Sequence, residues 1–128
     1  MGWMGYIYSL KKQGMEEFML IFRHEDGQAV ASPAQMEIWM KQTRDWIEKI
    51  AAQGKFIGGT GLPFSESRVV HHENLVTNGP FGDIKETIGG YITVKAESVD
   101  EAVEFVKGSP ILQGAGNTVE VRKIQRHG

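Results

Sequence analysis

The chain has 128 residues, a formal net charge of −2 and no cysteine. Its length suits one domain with a core of its own. The missing cysteines exclude disulfides and thiolate metal sites and fit a reducing compartment. The balanced charge lacks the clustered Lys and Arg of a nucleic-acid footprint, and no apolar run approaches the ~20 residues that cross a bilayer. We therefore expect a cytoplasmic protein with neither nucleic-acid nor membrane partners.

Residues 1–14 stand apart. They carry Trp3, Tyr6, Ile7, Tyr8 and Leu10, followed by Lys11 and Lys12. A secretory signal places its positive charge before the apolar stretch, which is the reverse order. Two readings stay open: a leader or alternative start, and an extension whose aromatic residues cover a sheet edge or a partner. The domain proper is expected over 15–128.

Glu17 to Arg23 reads as the first strand. Its nearly continuous apolar run implies burial on both faces. Arg23, His24, Glu25 and Asp26 then make a charged exit ending at Gly27. Such an exit suits either a cleft or plain solvent.

Ser32 opens a long helix. Ser32 can cap, Pro33 suits the first helical position, and Gln35 completes a capping box. Met36, Trp39, Met40, Thr43, Ile47 and Ile50 recur at helical spacing, with Trp46 at the border, and predict a buried stripe. Glu37 with Lys41, and Asp45 with Lys49, are i,i+4 pairs for the opposite face. Gly54 ends the helix.

Lys55 to Gly58 predicts a second strand. Gly58, Gly59 and Gly61 around Thr60 lack the Lys-Ser/Thr ending of a phosphate loop and predict a bend with close backbone approach. Arg68–His71 and Leu75–Thr77 flank His72-Glu73-Asn74 as a β-hairpin. Adjacent His71 and His72 point to opposite faces of a strand, so they make a poor chelate. We read no metal site and no cofactor.

Next comes Asn78-Gly79-Pro80-Phe81-Gly82-Asp83-Ile84-Lys85-Glu86, a turn carrying three charges, which runs into Ile88-Gly89-Gly90-Tyr91-Ile92-Thr93-Val94. Tyr91, Thr93 and Lys95 alternate with Ile92, Val94 and Ala96 at the strand period of two. Ser98 with Glu101 is a second capping box, before a stripe of Val99, Ala102, Val103 and Val106 edged by Phe105. Gly108 and Pro110 stop that helix, Gly114-Ala115-Gly116 link onward, and Thr118–Ile124 closes the chain as a strand with Val119 and Val121 on one face.

The Asn78–Glu86 stretch resembles the Asp-Gly-Pro-Phe-x-Glu-Thr-Lys-Glu signature of the DGPF branch of the YCII-related proteins. Gly79, Pro80, Phe81, Lys85 and Glu86 match as they stand, and Gly89-Gly90-Tyr91 is similar to the Gly-Gly-Tyr that follows. Asn78, Asp83 and Ile84 depart from the pattern. The layout matches from about Met15 to Ile124. The element order alone reads as α+β, with the ferredoxin-like β-α-β-β-α-β pattern and an inserted β-hairpin. The resemblance implies the same fold and a homodimer whose sheets pack into a dimeric α+β barrel. It also implies a His-Asp pair, the imidazole acting as base and the carboxylate orienting it. The corresponding positions here are Gln35 and Ser109, which cannot take those roles.

The candidate catalytic residues are then Glu86 as general base, Lys85 for an anionic oxygen, and His24 from the first strand. The candidate binding residues are Asp83, Asp26, Tyr91, Phe81 and Asn78. Two classes of function follow. One is a small homodimeric metabolite-binding or accessory module, in keeping with relatives fused to sigma-factor-like regulators. The other is a small lyase- or isomerase-like enzyme for an aromatic or cyclic metabolite. A cofactor-free monooxygenase rests on fold analogy alone.

Overall fold

A computed structural model describes residues 15–25, 32–63, 65–79 and 87–125. The elements are β1 (Glu16–His24), α1 (Pro33–Ala52), β2 (Phe56–Gly61), β3 (Arg68–Val70), β4 (Val76–Asn78), β5 (Thr87–Ala96), α2 (Val99–Val106) and β6 (Thr118–Lys123). Short 3₁₀ turns lie at His72–Asn74 and Pro110–Gln113. The main sheet has the order β2-β5-β1-β6 with every neighbouring pair antiparallel, and β3-β4 form a separate two-stranded ribbon. Two helices and a four-stranded antiparallel sheet in this order are compatible with a ferredoxin-like fold. The extension at residues 1–14 lies outside the described residues.

Both helices start as their sequences dictate. Ser32 Oγ accepts the Gln35 amide at 3.1 Å, and Pro33 takes the first helical position. Ser98 Oγ accepts the Glu101 amide at 3.2 Å. The Glu101 carboxylate reaches back to the amide of Glu97 rather than Ser98, at 2.9 Å. Gly54, at φ +72°, closes α1 in the left-handed conformation that glycine adopts without cost.

The core lies between the helices and one face of the sheet. Phe18 and Leu20 of β1, Ile92, Val94 and Ala96 of β5, Trp46 and Ile50 of α1, and Ala102 and Val106 of α2 are buried. Val119 and Val121 pack against them from β6. Burying side chains such as Phe18, Leu20 and Val94 contributes about 1.5–3 kcal/mol each.

Four expectations change. β1 is not buried on both faces: Phe18 and Leu20 are sealed, while Met19 and Ile21 opposite are half-buried, because both helices lie on one side. In α1 the buried stripe covers only the C-terminal half. Trp46 sits in the core rather than at its border, whereas Met36, Trp39 and Met40 are exposed. Trp39 shares an angular position with Trp46 two turns on, so it faces the right way but lies past the end of the described core. Val99 is also exposed, as the first residue of α2 after its cap. Finally, Lys41 pairs with Asp45 at 3.2 Å rather than with Glu37, leaving Lys49 with no ionic partner among the described residues. Exposed pairs differ by so little energy that sequence spacing does not select between them.

The glycine-rich stretch bends as expected. Register slips between Phe56 and Gly58, and a Cβ on Gly59 would overlap the Tyr91 carbonyl and Ile92. Thr60 and Gly61 likewise crowd Gly90, so β2 lies unusually close to β5.

Candidate functional site

β1 ends at a β-bulge. Phe22 pairs with Gly90 and Arg23 with Ile88, which leaves Gly89 as the extra residue of β5. Bulges re-aim side chains at the rims of sheets. Here the bulge brings Gly89 beneath the His24 imidazole, and any side chain at 89 would run into that ring. Strand alternation sets Phe22 and His24 on the helix side of the sheet. Phe22 meets Trp46 edge-on, with ring centroids 6.0 Å apart. Burial holds the His24 pKa below the ordinary imidazole value of 6.5. The ring is therefore neutral at pH 7 and keeps a nitrogen lone pair to accept a proton.

Glu25, the residue after His24, is tied down. The Glu25 amide donates to Asn117 Oδ1 at 2.9 Å, and Asn117 Nδ2 donates to the Ile111 carbonyl at 3.1 Å. The Glu25 carboxylate rests against Gly116, at φ +86°, where a Cβ would collide with it. Asn117 thus couples the exit of β1 to the turn before β6. The Gly114-Ala115-Gly116 link is therefore anchored at its end by Asn117, a residue outside the candidates named from the sequence. An Asn closing a Gly-Ala-Gly turn was the signal available.

On the opposite face, Arg23 Nη2 bonds Glu120 Oε1 at 2.9 Å, and Arg122 lies 3.9 Å from the same carboxylate. Tyr91 belongs to this face, level with Ile21 of β1 and Thr60 of β2. Tyr91 and His24 therefore occupy opposite faces of the sheet and do not share one pocket. Asn78 pairs with Arg68 at the base of the ribbon and is exposed. The structure does not bring Tyr91 and His24 together, and Asn78 belongs to the separate ribbon. Glu86, Lys85, Asp83, Phe81 and Asp26 lie outside the described residues. Residues 25 and 87 bracket those segments at the same end of the sheet, because His24 and Thr87 are register partners.

His71 Nε2 and Thr77 Oγ1 lie 2.7 Å apart across the ribbon, so this histidine has a local partner within the hairpin. Among the described residues, no three His, Asp or Glu side chains converge to hold a metal. No helix there is long and apolar enough to cross a membrane.

The YCII-related domain matches residues 17–126, which is most of the chain. No curated protein matches it.

Proposed function

The chain belongs to the YCII-related domain family, and from that premise we propose a small homodimeric module of the DGPF branch that binds a metabolite or serves a partner protein. Two copies close their sheets face to face into an α+β barrel. The observation that carries this reading is the one-sided cover of the sheet. Both helices pack on the Phe18/Leu20 face, and Met19, Ile21, Tyr91 and Thr93 on the other face are only half-buried. A half-apolar sheet face of that kind favours a second layer. Gln35 and Ser109, in place of a titratable pair, favour binding over turnover. The metabolite sits at the Asn78–Glu86 segment, which follows the ribbon and enters β5 beside the end of β1.

His24 favours a second reading, a small lyase- or isomerase-like enzyme. A half-buried neutral imidazole at a strand exit is suited to proton transfer. In that case Glu86 is the general base, His24 is a second proton-transfer group, and Lys85 holds the developing oxyanion.

The test joins mass to ligand response. Light scattering on the wild type should give a dimer, and Ile21→Lys, which buries a charge in the sheet-to-sheet layer, should give a folded monomer. A thermal-shift panel of small acids and cyclic metabolites is then run on the wild type and Glu86→Gln. A ligand at a hundred times its Kd stabilises by about 2.7 kcal/mol. A hit lost in Glu86→Gln, without turnover, supports the module. A hit consumed by the wild type and only bound by Glu86→Gln supports the enzyme. A monomeric wild type overturns the barrel.

A further inference from the structure

The two helices are joined by the Trp46 indole, whose Nε1 donates to the Phe105 carbonyl at 2.8 Å, and the 3₁₀ turn at Pro110–Gln113 packs on α1. This leaves a cleft of about 370 Å³ between α1 and α2, on the helix side of the molecule. Trp46, Ile50, Phe105 and Pro110 form its apolar lining.

The lining is fixed in place. Trp46 is anchored through its ring nitrogen and meets Phe22 edge-on. Phe105 carries the Lys55 ammonium 5.7 Å from its ring centroid. Gly108 supplies a wall without a side chain, next to the Trp46 ring. The cleft is amphipathic: Gln42, Asp45, Lys49, Gln53, Glu104 and Gln113 share the lining with these apolar residues, and small-molecule sites combine apolar walls with placed polar groups.

The charges decide what kind of molecule fits. Two carboxylates line the rim, and each is already matched: Asp45 with Lys41 at 3.2 Å, Glu104 with Lys107 at 2.8 Å. The third rim charge is Lys49, which has no ionic partner among the described residues. One further polar group stands out: Gln42 Oε1, on the same wall, is sealed from solvent and accepts no hydrogen bond from the described residues. An unpaired buried acceptor is costly, and a local rearrangement that gives it a donor recovers that cost.

We propose that this cleft binds a planar ring bearing a carboxylate. The ring lies against Phe105 and Pro110, and the carboxylate takes the ammonium of Lys49. A ring N–H or O–H donates to the Gln42 amide once the cleft is filled. This site is separate from the Asn78–Glu86 segment and stands whether or not that segment binds anything.

The test uses the full ¹⁵N-labelled chain, with benzoate as probe and benzylamine as the control of opposite charge. Benzoate should move the Trp46 indole N–H and the Lys49 and Gly108 amide signals saturably in the millimolar range or below. Lys49→Gln alters an exposed side chain with no ionic partner among the described residues and should weaken benzoate by about tenfold, the usual scale of a charge-assisted hydrogen bond. Gly108→Leu fills the cleft and should abolish the shifts. If that variant does not fold, Lys49→Gln decides alone. No saturable shift with benzoate overturns the proposal. So does equal binding of benzylamine, or a benzoate affinity unchanged in Lys49→Gln.

Discussion

At the scale of single residues, two side chains carry an energetic cost that the sequence does not announce. Gln42 reads in the sequence as an ordinary polar helix residue, yet its Oε1 is buried without a donor. Replacing it with Leu keeps the volume and removes the orphan, so stability should rise by about 1 kcal/mol. Thermal melting measures this, with a shift of about 4 °C for a chain of this size. A lower melting temperature would show that the amide is satisfied in solution. His24 is the second case. Its folded-state pKa is lowered by burial, so the unfolded chain takes up the proton first. Its contribution is then fully present above about pH 6.5 and is lost as pH falls from there toward the folded value. The melting temperature of the wild type should therefore fall relative to that of His24→Gln on acidification through this window. Parallel curves would mean that the ring titrates freely. The strand exit was legible in Arg23-His24-Glu25-Asp26, but the desolvation was not. It depends on a bulge at Gly89, 65 residues away in the sequence.

At the scale of elements, what was legible divides by range. Ser32 and Ser98 cap their helices as read, because a cap needs nothing beyond four consecutive residues. The hairpin and the close approach of β2 to β5 were equally readable, since Gly58-Gly59-Thr60-Gly61 is a local anomaly in a strand pattern. The α1 stripe misled in its first half. Helical period reports which side faces inward but not where the core stops, so Met36, Trp39 and Met40 were counted with Ile50. Two predictions belong here. Gly59→Ala drives a Cβ into the Tyr91 carbonyl from a φ of +157°, so it should cost more than about 2 kcal/mol, near the upper end of ordinary substitutions. Chemical denaturation reads this directly, and a neutral result would mean that β2 can shift away from β5. Glu101 caps the Glu97 amide and bonds Lys55 Nζ at 2.9 Å, in a pair whose side chains are only 15% and 27% exposed. The Lys55 bond, then the Glu97 amide, lower its pKa. Glu101→Gln should therefore destabilise by about 1 kcal/mol near neutral pH, with the difference shrinking as acid protonates the wild-type carboxyl. A difference that persists unchanged at low pH would assign the effect to packing instead.

At the scale of the whole molecule, the ribbon and the open sheet face pose one problem. β3 and β4 form a two-stranded sheet of their own, and Val70, Leu75 and Val76 are 63%, 61% and 56% exposed. An isolated two-stranded hairpin is marginal in water. Its internal ties are local: the short ladder of Arg68–Val70 with Val76–Asn78, the His71–Thr77 bond, and Gly79 N–H to the Ser67 carbonyl at 3.1 Å. The sequence showed both strands and the turn, but it could not show that they stay apart from the main sheet, because that depends on where β5 finds its partners. In the homodimer proposed above, the second copy supplies the missing surface for the open face, and the ribbon should gain order with it. Hydrogen exchange checks this. The amides of β1 and β5, inside the main sheet, should stay protected at every concentration and in Ile21→Lys. Those of Val69, Val70 and Thr77 should be protected in the wild-type dimer and exchange rapidly on dilution and in Ile21→Lys. Ribbon protection independent of concentration would mean that the arm is stabilised within a single chain. The dimer surface would then lie on the sheet alone.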